Sequence, residues 1–306
     1  FKASRQVFLE ITPQGGQPFA QVIEIVRPPV VLVHGIWAQP DSWDQFEPVS
    51  TESADILLVG RADYSQPVAI FGTLPAQQPF VLKRARRNSL GLRTNASAVF
   101  DEARQLVTAV AEGRGPAGIP VAAIQADVIA HSMGGVVTRT LFTDQRYFAS
   151  EDFQRGRVHK MITVDTPHLG TPLAARLLQP EDACVRDALV QLDVLGVTVS
   201  KTANFSFVSA ALSAGEIVNG AAGDLVPSSA ALLAVANNSL TAVPMAFVST
   251  SYEQWSSLDD RLPPAGAWIL HRKCRGVSPL ARDLTPARWP LIFGVNEPSD
   301  GIVGRT

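Results

Sequence analysis

One stretch of the chain leaves little freedom in how it folds: Asp127-Val128-Ile129-Ala130-His131-Ser132-Met133-Gly134-Gly135. Val128 to Ala130 read as a short buried strand, and Val136, Val137, Thr140 and Leu141 follow at helical spacing. Ser132 therefore stands at the turn between a strand and a helix. Ala130 and Gly134, two positions to either side, are small and match the pattern G-x-S-x-G with Ala at the first glycine. A turn this sharp needs small residues there, because bulkier side chains would strike the neighbouring strand and helix. It lifts the serine hydroxyl clear of the sheet and aims the helix N-terminus at negative charge developing beside it. Five residues alone are a weak signal, since a serine can occupy any strand-to-helix turn.

The surrounding pattern supplies context. Pro28-Pro29 lead into Val30-Val31-Leu32-Val33 and then His34-Gly35, a continuous apolar run of the kind a parallel sheet buries, ending in a glycine loop. Ile56 to Val59, Lys160 to Val164, Met245 to Ser249 and Leu291 to Val295 predict further strands. Val99, Ala103, Leu106, Val107 and Val110 predict a helix over Ala96 to Ala111, closed by Gly113 to Pro116. Strands alternating with helices imply an α/β fold: a mainly parallel sheet with helices on both faces. Residues 173–240, rich in Ala, Val, Leu and Ser and poor in charge, read as an inserted helical lid. Lys83, Arg84, Arg86 and Arg87 read as a solvated loop or strand edge.

A chain of 306 residues with 46% hydrophobic content can fill one large core, and without repeats or linkers residues 1–306 are expected to form a single domain. Charged residues make up only 18% and the net charge is -2, which leaves no field to attract nucleic acid or anionic lipid. No apolar run approaches the roughly 20 residues that span a bilayer. The chain starts at Phe1 without an initiator Met or a basic-then-apolar leader, so it reads as a mature or excised segment. Its two cysteines, Cys184 and Cys274, permit one disulfide or two buried thiols, and spacing does not choose between them.

The motifs Val30 to Trp37, Ala130 to Gly135 and Thr166-Pro167-His168-Leu169-Gly170-Thr171-Pro172 together resemble the bacterial lipases of the Pseudomonas and Burkholderia type and their esterase relatives. That resemblance implies the α/β-hydrolase fold, a serine carboxylic ester hydrolase acting through Ser132, and oxyanion donors at the Ile36 and Met133 N–H groups. It also implies an apolar pocket that includes Trp37 and Leu169. In the family a loop of the form Asn-Asp-Gly-Leu-Val-Gly carries the catalytic acid. Asn296-Glu297-Pro298-Ser299-Asp300-Gly301-Ile302-Val303-Gly304 is similar, so Asp300 inherits the role. The family's single disulfide between lid and following segment is one that Cys184 and Cys274 would imitate. Its members often hold a structural calcium near the catalytic loops, for which this sequence assigns no ligands; the ester chemistry itself needs no metal or other cofactor.

The general base is the unresolved position. The expected chain order is Ser, acid, His, yet His34, His131, His159, His168 and His271 all precede Asp300. One reading places the base on a continuation past Thr306. A second uses His271 with Asp224, Asp259 or Asp260 as its acid, because a triad is recognised by geometry and not by order. A third is a noncatalytic lipid- or polymer-binding domain. His34 and His168 read as loop residues bonding backbone, His131 as pointing away from the serine, His159 as a surface residue and Asp165 as a loop support. The expected substrate is a small ester or lipid, with lid residues such as Phe205 and Phe207 at a lipid interface. Polyester and amide bonds are open to the same machinery, and the expected location is outside a bacterial cell.

Overall fold

The computed structural model describes residues 4–36, 38–44, 46, 57–72, 80–86, 88, 90–112, 124–148, 153–177, 184, 220–238, 243–249, 274 and 276. At its centre, β3 (Val30–Val33), β4 (Val59–Ala62), β7 (Ala126–His131), β8 (Val158–Val164) and β9 (Met245–Val248) form a five-stranded parallel sheet in the order β4-β3-β7-β8-β9. β3 and β7 pair over Val30↔Asp127 to Val33↔Ala130, so both strands end side by side at one edge. Two antiparallel hairpins lie outside this sheet: β1 (Ser4–Ile11) with β2 (Phe19–Val26), and β5 (Pro67–Gly72) with β6 (Phe80–Arg86). Lys83, Arg84 and Arg86 thus lie on a strand, whereas Arg87 is outside the described residues.

The β3 alternation sends its residues to two cores. Val31 and Val33 join the large cluster with α1 (Leu92–Glu112) and α2 (Met133–Leu141), while Val30 and Leu32 meet Trp43 on the opposite face. On α1 the buried positions Leu92, Ala96, Val99, Ala103, Leu106, Val107 and Val110 form one stripe, three or four residues apart. Fully burying each larger aliphatic residue contributes roughly 1.5–3 kcal/mol, so this stripe and not intrinsic propensity holds the helix to the sheet. Three short helices follow: α3 (Pro172–Leu177), α4 (Gly220–Asp224) and α5 (Ala230–Ala236). Apart from Pro172 they fall within residues 173–240, the segment expected to form a lid, most of which lies outside the described residues.

The strand expected at Ile56 to Val59 is displaced: the paired segment is Val59–Ala62. Leu58 instead uses its carbonyl to accept the Val30 N–H at 2.8 Å on the way in. Gly60 permits the pairing, because a Cβ there would lie 2.7 Å from Leu106 Cδ1 on α1. The strand expected at Leu291 to Val295 is outside the described residues.

Candidate active site

β7 delivers Ser132 into the turn at φ 53° and ψ -131°, a conformation rare for any residue with a Cβ. Such a backbone costs on the order of 1–3 kcal/mol and persists only where its surroundings enforce it. Here they do: the Ser132 N–H donates to Val164 O on β8 at 2.8 Å, and the Ser132 carbonyl accepts from the Gly135 N–H at 3.1 Å. Ser132 occupies the N-cap position of α2, yet its hydroxyl makes no capping bond, so the usual use of an N-cap serine is not made.

Small residues around the turn have separate reasons. A Cβ on Gly134 would lie 2.6 Å from His34 O and 2.7 Å from Val33 O, backbone atoms that cannot give way. One on Gly135 would strike the Thr166 side chain. Gly35 lies against the serine itself, where an added Cβ would lie 2.8 Å from Ser132 Cβ and 3.2 Å from its Oγ. The loop after β3 and the turn after β7 therefore meet face to face, as the parallel β3–β7 register requires. The Gly135 and Gly35 contacts were invisible in the sequence, which gave a reason only for Ala130 and Gly134.

The loop after β3 is fixed by its own polar atoms. His34 is 1% exposed and stacks on Tyr64 with ring centroids 3.9 Å apart. The Tyr64 hydroxyl donates to His34 O, and burial pushes that phenol's pKa up so that it stays a donor. His34 Nδ1 lies 3.0 Å from Gly35 O, which assigns the ring proton to Nδ1. Burial lowers the His34 pKa and keeps the ring neutral. The Gly35 carbonyl and the Ile36 N–H belong to one planar trans peptide and point in opposite directions. Holding the carbonyl against His34 therefore turns the Ile36 N–H the other way. Met133 is fully buried and opens α2, where the first N–H groups have no intrahelical partner.

His168 is also spoken for. Its Nδ1 accepts from an Arg139 guanidinium nitrogen at 3.0 Å, and its Nε2 lies 3.1 Å from Thr163 Oγ1. Burial, with the Arg139 charge adding to it, lowers its pKa to about 4. The sign gives a test. Below pH 6.5 the unfolded chain takes up a proton at this histidine that the folded chain refuses until about pH 4, so stability falls as pH drops through that window and the loss levels off beneath it. Thermal unfolding from pH 7.5 to 4.5 should show a steeper fall for wild type than for His168→Gln; parallel curves would remove this account.

Asp165, at φ 48°, donates its N–H to Val248 O at 2.9 Å and ties β8 to β9, in line with a support role. His159 is half-exposed and bonds Asp127 at 2.8 Å. Asp224, one of the alternative acids, uses Oδ2 to accept the Leu92 N–H at 2.8 Å and so caps α1 from the end of α4. Leu169 is 65% exposed on the loop after β8, where an apolar group costs solvation unless something covers it. Cys184 and Cys274 are joined in a disulfide, with Cα atoms 5.7 Å apart. Trp37, Phe205, Phe207, Asp259, Asp260, His271 and Asp300 lie outside the described residues. Among the described residues no group of three or more His, Cys, Asp or Glu is placed to hold a metal ion. No helix among them is long and apolar enough to cross a membrane.

Two families match parts of the sequence. One, described as a domain of unknown function (DUF7379), matches residues 37–178; the other, described as a PGAP1-like alpha/beta domain, matches residues 122–260 and so spans the Ser132 turn, β8 and β9. The chain has an α/β fold, a parallel five-stranded sheet packed against helices. No curated protein matches it. Among solved structures it is similar to the Bacillus licheniformis lipase BlEst2 in mature form, at 13% identity and TM-score 0.42, covering 91% of this chain and 77% of that one. The same lipase in propeptide form gives 16% identity and TM-score 0.35 over 54% of this chain and only 28% of that one. A hydrolase from Pseudomonas aeruginosa gives 16% identity and TM-score 0.33 over 80% of each chain. Likenesses this distant carry no argument about activity.

Proposed function

We propose that this chain is a secreted serine carboxylic ester hydrolase of the Pseudomonas and Burkholderia lipase type. The observation that carries the reading is the Ser132 turn, a strained serine at a strand–helix junction whose hydroxyl does not cap the helix and which abuts the glycine of a second loop. In the proposed reaction Ser132 Oγ attacks the ester carbonyl carbon while a histidine takes its proton. The Ile36 and Met133 N–H groups hold the oxyanion, two donors for one tetrahedral oxygen. The histidine then protonates the departing alcohol, leaving an acyl-enzyme that water cleaves by the same steps in reverse.

Asp300 is the proposed acid. Of the described histidines, His168 is engaged at both ring nitrogens, and His159 bonds Asp127 near the start of β8, at the end of the sheet opposite the Ser132 turn, so neither is proposed as the base. His271 is the remaining histidine after the insertion, and the lipase pattern places the base after the acid. Leu169 and the lining expected from Ile36, Trp37 and Met133 favour an acyl chain over a charged group.

Intact-mass measurement after exposure to an organophosphonate ester tests this directly. One adduct in wild type and none in Ser132→Ala is expected, since an ordinary serine hydroxyl does not react at neutral pH. An unlabelled wild type would instead point to a noncatalytic lipid- or polymer-binding domain.

A further inference from the structure

Residues 34–36 and Ala38 lie in no strand or helix, so no ladder sets their position; the Ala38 N–H donates to Gly35 O at 3.4 Å, and three carbonyls anchor them to their surroundings. His34 O accepts from Tyr64, and Gly35 O from the neighbouring His34 ring. Ala38 O accepts from Asn88 Nδ2 at 3.1 Å, a contact across 50 residues of chain. The Asn88 carbonyl in turn accepts from Asn95 Nδ2 at 3.1 Å, and Asn95 sits in the first turns of α1. The Leu92 N–H of that same helix is capped by Asp224. A continuous series of bonds therefore runs from the long helix to the loop that presses on Ser132.

Both asparagines are 0% exposed, and the Oδ1 of each has no partner among the described residues. An unpaired amide oxygen buried this way costs about 1–3 kcal/mol, which an apolar side chain of similar size would avoid. Filling space therefore does not account for an amide at these positions, whereas a donor reaching Ala38 O does. We propose that Asn88, braced by Asn95, is the positioning residue of the oxyanion loop: its amide holds the Ala38 carbonyl and so fixes where the Ile36 N–H lies relative to Ser132 Oγ. This rests on the reading of Ser132 and Ile36 given above. Because Gly35 already touches Ser132, a displacement of about 1 Å moves the donor out of reach of the oxyanion and can cost up to about a hundredfold in rate.

The test is steady-state kinetics on a p-nitrophenyl ester, together with the affinity of a trifluoromethyl ketone, which adopts the tetrahedral oxyanion form on the serine. For Asn88→Ala, kcat is expected to fall about ten- to hundredfold, with KM changed by less than about twofold and ketone affinity falling in step with kcat/KM. Asn88→Asp, which sets a carboxylate oxygen against the Ala38 carbonyl, should lose more. Should the Asn88 variants not fold, Asn95→Ala keeps Asn88 and removes only its brace; about a threefold or larger loss in kcat at constant KM is then expected. Wild-type kcat and ketone affinity in the folded variants, or a loss confined to KM, would overturn the proposal while leaving the hydrolase reading intact. A wild type inert to ester and phosphonate alike would remove both.

Discussion

Ser132→Ala is expected to leave a folded protein whose ester turnover is lower by on the order of 10⁴–10⁶. The magnitude follows from the role: without Oγ no acyl-enzyme forms, and what survives is the modest acceleration from the oxyanion donors acting on water. Stability should move little. The hydroxyl does not cap α2, and alanine accepts the φ 53° backbone at a cost similar to serine's. Rate and thermal midpoint measured on the same preparation separate the possibilities. A dead variant with an unchanged midpoint means the serine acts chemically, a dead variant with a collapsed midpoint means it holds the turn together, and an active variant removes the assignment.

Opening the Cys184–Cys274 link gives the largest expected change in stability. The bridge closes a separation of 90 residues, for which chain entropy alone predicts about 4–5 kcal/mol of stabilisation, lost when the unfolded chain is freed. In a chain of this length that is a fall of about 10 °C in the thermal midpoint. The enclosed segment contains α4, α5 and β9. It also holds Leu225, whose carbonyl accepts the Thr171 N–H at 2.8 Å beside the Leu169 loop, and Asp224, which caps α1. Loosening the segment should therefore lower activity before global unfolding. Because Cys274 is fully buried, the comparison is best made with the Cys184→Ala/Cys274→Ala double variant instead of mild reduction. A midpoint within about 2 °C of wild type would show that native contacts, and not the link, order this segment.

Local periodicity made much of the sheet legible. The apolar runs at Val30 to Val33 and Lys160 to Val164, and the α1 stripe, each carry their own pattern, and all three form where expected. The hairpin β1–β2 went unassigned even though Val7, Leu9 and Ile11 alternate along it. The face they mark remains exposed, with Leu9 at 47%, Ile11 at 38% and its partner Phe19 at 53%, so the alternation there does not mark a face turned to the core. β4 slipped by three residues for a related reason: Ile56 to Val59 is more apolar than Val59–Ala62, but the register with β3 and the room above Gly60 chose the second.

By itself, then, the sequence determined an α/β chain with a serine at a strand–helix turn, because those features follow from patterns within a few consecutive residues. Only the tertiary structure decided what surrounds that serine. Gly35 packed against Ser132, Gly135 under Thr166, Asn88 on the Ala38 carbonyl, Asp224 on the start of α1 and His168 engaged at both nitrogens are contacts between residues brought together by the sheet. A hydrogen bond spanning 132 residues, as between Leu92 and Asp224, leaves no periodic trace in the sequence. It exists because parallel strands end at one edge and gather their loops there.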